Sequence, residues 1–285
     1  MKGGFQSCYR IRFQSRKWHR FAKFPPGLTK SYSLILGGRL QSRSVSGRDA
    51  LPDTVAFGSR MERVVMNEKT SPTKIDISKK SIDGCTEEIA TACRGVESVT
   101  IVGAQGHHAI GAGIESFQRW RVEGSLGDYC LMAFGGQDSE VTGDVGWAFG
   151  QAMESGQVVV RGHAGAYLAS LSSGGLIAIY GSAGDRCGAG MQGGEVMVRG
   201  DVGKECGYRM RSGTIIVGGA AGPLLGSEMR GGTIYVRGEV HSLAPGVLEY
   251  RLKEADHIRI GLMLLKSGVK ATGKEFRGFQ RETSP

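Results

Sequence analysis

The sequence predicts an all-β protein, folded as a right-handed parallel β-helix: a single-stranded solenoid of about seven coils. Three observations lead there. Glycine recurs at intervals of 19 residues without a slip, at Gly124, Gly143, Gly162, Gly181, Gly200, Gly219 and Gly238. A second series keeps step three residues later, at Gly127, Gly146, Gly165, Gly184, Gly203 and Gly222. Before each first-series glycine from Gly162 onward stands an alternating apolar pair: Val158/Val160, Ile177/Ile179, Val196/Val198, Ile215/Val217 and Ile234/Val236. A fixed period means one structural unit copied and stacked. Period-two alternation means strands, and nothing in the block has the 3.6-residue spacing of a helix. Parallel strands joined by short crossovers follow the right-handed rule.

The first 65 residues stand apart. They carry 13 Lys and Arg against 3 acids, while the remaining residues are close to neutral. The net charge of +9 therefore belongs to a leader and gives no support for nucleic-acid binding by the body. The leader has neither the apolar run nor the small-residue cleavage site of a secretory signal. The expected reading is an over-extended start, with translation beginning at Met61 or Met66. The alternatives are a disordered tail and an organelle-targeting segment. No apolar run approaches the ~20 residues of a membrane span, and the expected location is cytoplasmic. The six cysteines form no Cys-x-x-Cys pair, so zinc and iron–sulfur ligation on this chain are not expected.

Residues 66–97 read as an entry segment. A polar, irregular arm covers 66–80, and a short helix covers 86–93 with acids in its first turn. Residues 98–102 read as a strand. A glycine-rich loop at 103–113 follows, carrying His107 and His108. It lacks the strand, Gly-x-Gly-x-x-Gly and helix order of a phosphate cradle. Two adjacent histidines without partners at metal spacing read as hydrogen-bonding residues rather than ligands. Trp120-Arg121-Val122-Glu123 matches the strand of every later coil and opens the run of repeats, within a β-helix domain expected to span residues 98–243.

The period then sorts the side chains of the coils. Glycine is expected at the corners, where it adopts positive φ at no steric cost. One inward ladder holds Cys130, Phe149, Leu168, Cys187, Cys206 and Leu225, and another holds Phe134, Met153, Met191, Met210 and Met229 with Ser172 interrupting. Both read as core, the cysteines acting as small hydrophobes rather than a redox pair. The acids at 128, 144, 185 and 201 follow coil glycines but have the wrong frame for a calcium-binding repeat. A further ladder, Val159, Ala178, Met197, Ile216 and Tyr235, lies between the inward pairs and faces out. Such an apolar stripe is either a partner surface or the seat of the chain's own arm or C-terminal helix.

After Ala244-Pro245-Gly246 the coils end. Residues 253–266 read as a helix with Ile258, Leu262 and Leu265 on its apolar face. Its expected place is over the open end of the solenoid, whose strand edge would otherwise invite aggregation. Residues from 272 on read as a polar arm anchored by Phe276 and Phe279.

The repeating Gly-x-x-Gly-x-x-x-Gly coil, with the entry Gly106-His107-His108-Ala109-Ile110-Gly111-Ala112-Gly113, resembles a known β-helix family. That family is the C-terminal domain of the glutamate synthase large subunit, in its stand-alone form. The stand-alone form occurs in archaeal-type glutamate synthase and N-methylglutamate synthase, and the β-helical subunit of formylmethanofuran dehydrogenase is related. The resemblance covers residues 98–243. Leu131, Gln137 and Ser172 depart from the coil pattern, each at one position. The resemblance implies a non-catalytic scaffold subunit with no catalytic, cofactor or metal residues of its own. Glutaminase chemistry would sit on an amidotransferase-like partner. FMN and iron–sulfur clusters would sit on an FMN-domain partner. The alternative it implies is a subunit of a formylmethanofuran dehydrogenase-type complex, acting in one-carbon formyl transfer.

Overall fold

The chain divides into two units, Met1–Lys69 and Thr70–Pro285. The computed structural model describes residues 73–81, 89, 91–92, 96–113, 119–269 and 273–282, all in the second unit. The basic leader lies outside the described residues. Of the short helix expected at 86–93, Ile89, Thr91 and Ala92 are described, and all three are helical.

One 11-stranded sheet runs through the unit. Its strands are β1 (Thr73–Asp76), β2 (Ser98–His107), β3 (Arg119–Leu126), β4 (Ser139–Val141), β5 (Gln157–Val160), β6 (Leu176–Ile179), β7 (Gln192–Val198), β8 (Ser212–Val217), β9 (Thr233–Val236), β10 (Val247–Tyr250) and β11 (Arg277–Arg281). From β1 to β9 each strand pairs in parallel with the next. The register from β3 onward is Trp120, Ser139, Val158, Ile177, Val196, Ile215 and Ile234. That is the 19-residue period of the sequence, seven rungs deep. A second line of bridges runs from Leu126 through Val145, Ala164, Ala183, Val202 and Ala221 to Val240. This unit is the parallel β-helix that the repeat requires. Both inward ladders are core: Cys130, Phe149, Leu168, Phe134, Met153, Met210 and Met229 are fully enclosed, and Ser172 is buried in their midst.

The structure corrects the two ends. The irregular arm at 66–80 contains a strand, β1, whose Ile75 pairs with Ile101 and whose neighbour Ile77 is fully buried. Two isoleucines two residues apart were enough to add a rung, which a mostly polar stretch concealed. The glycine-rich loop is strand as far as His107, pairing along β3 with register shifts between Ile101 and Ala104 and between Gln105 and His107. At the far end the cap is not the helix. Strand β11 pairs antiparallel with β9 and β10 with β11, so the last parallel edge is closed by a reversed strand. Phe279 sits opposite Ile234 and stoppers the core, and with Phe276 it is buried as an anchor. A reversed edge removes the template on which another parallel coil would grow.

The seven repeat glycines owe their identity to space rather than to φ. Only Gly124 among them has positive φ, at +115°. A Cβ on Gly162 would lie 2.3 Å from Asp144 Oδ1 and 2.7 Å from the Gly143 carbonyl carbon. A Cβ on Gly238 would lie 2.4 Å from the Gly219 carbonyl oxygen. Successive coils touch backbone to backbone here, and Gly200 and Gly219 each donate their N–H to the preceding glycine carbonyl at 2.9 Å. Positive φ falls elsewhere in the coil. Tyr129, Ala148, Tyr167, Arg186, Glu205 and Leu224 form one left-handed ladder at φ 54–61° with no glycine in it. Left-handed φ costs a non-glycine residue ~1–2 kcal/mol. The return is a reversal of the backbone N–H at every second residue. Tyr167 bonds forward to Asp185 O, Ala169 back to Phe149 O and Leu171 forward to Ala189 O, at 2.8–2.9 Å. The coil thus stays hydrogen-bonded to both neighbours through its turn.

The helix, α1 (Glu254–Lys266), lies against the outer face of the sheet. Its first turn meets Tyr235 through Asp256, and its end meets Gln157 and Tyr180. Thirteen residues make a helix ~20 Å long. Four coil steps of ~4.8 Å, from Tyr235 back to Val159, cover ~19 Å. The helix therefore matches the length of the outward apolar ladder.

Candidate functional site

The outward ladder is where the sequence placed a partner surface, and the structure assigns it to the chain's own helix. Ala178, Met197, Ile216 and Tyr235 are each at most 1% exposed. They pack with Leu176 against Ile260, Met263 and Leu264 of α1 and with Phe276, while Val159 is partly buried at the margin. The partner-surface expectation for these five residues is thereby corrected: of the two readings, cover by the C-terminal helix is the one observed. The same slot continues toward the amino terminus as Glu140 and Arg121, in register with Val159. There the ladder turns charged, Glu140 bridging Arg121 at 2.7 Å and Arg161 at 2.8 Å. The slot is apolar only under the helix.

The buried face of the helix also differs from the one its spacing suggests. Ile260, Met263 and Leu264 are buried, whereas Ile258, Leu262 and Leu265 are 57%, 53% and 76% exposed. The helix has two apolar faces, and spacing alone does not say which one meets the sheet.

Polar contacts fasten the helix at both ends. At its start the Asp256 carboxylate accepts the Lys253 backbone N–H at 2.9 Å and the Tyr235 and Tyr250 hydroxyls at 2.7 and 3.1 Å. Burial pulls the Asp256 pKa upward, but the Lys253 N–H and the two hydroxyls outweigh it and hold the carboxyl below its ordinary value. Burial, with Tyr250 and Asp256 beside it, pushes the Tyr235 phenol well above its ordinary 10.0. At the other end the Tyr180 hydroxyl donates to Ser267 O at 2.6 Å and the Gln157 amide to Lys266 O at 3.0 Å.

Tyr235 makes stability depend on pH in the alkaline range. Its folded pKa is raised, so its contribution to stability is complete below pH 10.0 and is lost as pH climbs above that value. Between about pH 9 and 11.5 wild type should lose more melting temperature than Tyr235→Phe, which has no phenol to ionise. Equal losses in thermal scans of the two proteins would count against the assignment.

Beside α1 an open groove of about 860 Å³ follows the glycine corners Gly175, Gly194, Gly213 and Gly232, with Arg259 and Lys266 along its helix side. Lys266 faces Glu195 across it at 3.4 Å. The glycines have positive φ of 76–103° and leave bare backbone along the groove floor.

The remaining residues singled out by sequence find structural work. His108 Nδ1 accepts the Asp128 N–H at 2.8 Å, the hydrogen-bonding role expected of it. His107 is buried, its Nδ1 accepting the Gln105 N–H at 3.2 Å and its Nε2 without a hydrogen-bond partner among the described residues. The acids that follow coil glycines serve the next coil's backbone. Asp144 accepts from His163 N–H at 2.7 Å, Asp201 from Ala220 at 2.7 Å, Asp128 from Trp147 at 2.8 Å and Asp185 from Lys204 at 3.0 Å. Ser125, His163 and Ser182 do the same in their coils. Among the described residues no three His, Cys, Asp or Glu side chains come together to hold a metal ion. No described helix is long and apolar enough to cross a membrane.

Cys130, Cys187 and Cys206 are free and buried. Burial pushes the Cys130 thiol up to about 12. The Cys187 hydrogen bond, and then burial, push Cys206 well above its ordinary value. High pKa and no access make poor nucleophiles. Native protein treated with a thiol reagent at neutral pH should leave these three unlabelled in peptide mass mapping. Labelling of Cys187 or Cys206 without denaturant would revive the redox reading.

The turn face carries a feature that the repeat pattern does not show. Tyr129, Trp147 and Tyr167 form a row along successive coils, the first pair edge to face at 4.9 Å between ring centroids and the second tilted at 5.1 Å. The Arg186 guanidinium continues the row, lying over Tyr167 and, at 4.8 Å, over Tyr208, and it pairs with Glu205 at 2.6 Å. The signal was present at the 19-residue spacing of Tyr129, Ala148 and Tyr167, but Ala148 hid it: the middle ring, Trp147, comes from the neighbouring slot.

Compared with known proteins, the chain matches no protein-family model, and it matches no curated protein.

Proposed function

We propose that this chain is the non-catalytic scaffold subunit of a glutamate synthase-type complex, a cytoplasmic assembly in which it orders an amidotransferase-like chain and an FMN-domain chain. On this reading FMN and iron–sulfur clusters belong to the partners. The observation that carries the scaffold part is the use made of the polar side chains. Asp128, Asp144, Asp185, Asp201, His108 and His163 each hold a backbone N–H of the following coil. Groups committed in this way give a stiff rod. The glutamate synthase part rests on the resemblance of the Gly-x-x-Gly-x-x-x-Gly coil and of the segment around His107 and His108.

Native co-purification from the source cells tests both parts. Recovery with amidotransferase-like and flavin-domain chains, and glutamine-dependent amino-acid synthesis by the whole complex, is the expected result. Recovery with formyltransferase-type chains would move the reading to one-carbon chemistry. Turnover by the isolated chain would end the scaffold reading.

A further inference from the structure

Among the described residues, the outer face of α1 has no neighbour. Ala255, Ile258, Leu262 and Leu265 are spaced by three, four and three residues and are all exposed. They lie on the side opposite Ile260, Met263 and Leu264, which bind the sheet. Spacing by alternate threes and fours is the seam pattern of paired helices, in which apolar knobs from one helix enter holes of the other. The helix that presents this row is held at both ends, by Asp256 on Tyr235 and by Ser267 on Tyr180, so the row is fixed in place before anything docks on it.

The charges beside the row identify the occupant. Glu254 lies along one margin, and Arg259 and Lys266 lie along the other. Glu254 and Arg259 are five residues apart, the offset at which flanking residues of two parallel helices meet across a seam. Neither makes an ion pair among the described residues, whereas Lys266 is already paired with Glu195. Side by side and parallel, two copies place each Glu254 against the other's Arg259. Antiparallel, the Arg259–Lys266 margin would face itself. We propose that α1 is a self-association seam, through which two copies of this chain pair with their helices parallel and in register. The rods then lie side by side, pointing the same way, and the aromatic turn faces stay free for other chains. The proposal rests on α1 alone and does not depend on the glutamate synthase reading.

Sedimentation velocity on the full chain, from about 5 to 500 µM, tests it. Wild type should pass from monomer to dimer over that range. Leu262→Glu should remain monomeric with its melting temperature unchanged, because the side chain it replaces is half exposed. Glu254→Arg should weaken the dimer about tenfold, losing two symmetry-related pairs and setting like charges opposite each other. Glu254→Arg with Arg259→Glu should restore it, since the swap rebuilds both pairs. A wild-type chain that stays monomeric throughout would overturn the proposal. So would a dimer indifferent to Leu262→Glu, which would have to use another face. Failure of the double swap to rescue would overturn the parallel register. A different protein bound through Leu262 while the chain alone stays monomeric would also overturn it, showing the seam to serve a hetero-partner.

Discussion

Gly238→Ala should be among the most damaging single-methyl changes in the chain. The added Cβ would meet the Gly219 carbonyl oxygen at 2.4 Å, its carbon at 2.5 Å and the Ala220 nitrogen at 2.8 Å. All three are backbone atoms of the preceding coil, so no side chain can swing aside. The coils would have to separate, and the bond from Gly238 N–H to Gly219 O, 3.0 Å long, would go with them. Overpacking of this kind costs about 3 kcal/mol or more. In a body of this size that is a fall in melting temperature of roughly 6–12 °C. Gly261→Ala is the control. It sits within α1, where an added Cβ has nothing within 4 Å, and it should gain about 0.5–1 kcal/mol from better helix propensity. Thermal melts of the two variants against wild type decide the matter. Equal behaviour would mean that coil spacing is softer than the contacts require.

Ile216→Ala is expected to loosen the helix from the sheet. Ile216 is fully buried at the middle of the outward ladder, between Met197 and Tyr235 along the stack and under α1. Truncation removes three carbons from a two-sided contact and should cost about 2–4 kcal/mol. The loss should be local in its effect. Trypsin should cut at Arg259 and Lys266 faster than in wild type, while the strand cores stay protected, because α1 can lift without breaking a coil hydrogen bond. Uniform acceleration of cleavage along the whole unit would show instead that helix and solenoid unfold together.

The features behind these two expectations differ in how plainly the sequence displays them. The solenoid was legible because its signal is repeated: a glycine seven times, a core slot six times and an inward apolar pair five times, all at one interval, so that each copy tests the others. The ends were not, because nothing repeats there. β1 offers only Ile75, with Ile77 just past its end, among polar residues, and β11 is a five-residue strand whose pairing with β9 is set by Phe279 entering the core. The helix was legible as a helix but not as a layer. Its two apolar faces are equivalent on a spacing argument, and the sheet it covers lies earlier in the chain. The repeat glycines keep the expected period for a different physical reason, close backbone contact in place of positive φ. Sequence shows that a Cβ is absent, whereas only the stacked backbone shows what it would strike. Of the candidate site, the stripe from Val159 to Tyr235 is legible in the sequence down to its last residue, but spacing does not choose between the chain's own helix and a foreign partner as its occupant.

The match between α1 and that stripe bears on how this chain can change length over generations. Tandem repeats gain and lose units readily, and a 19-residue duplication would splice into the hydrogen-bond ladder without a seam. Here copy number has a ruler. An inserted coil would add ~4.8 Å of outward apolar surface that a 13-residue helix does not reach. A deleted coil would leave the last turn of α1 hanging past its seat. Gain or loss of a unit therefore calls for about three compensating residues in a distant segment, far more than one repeat must do to fit its neighbours.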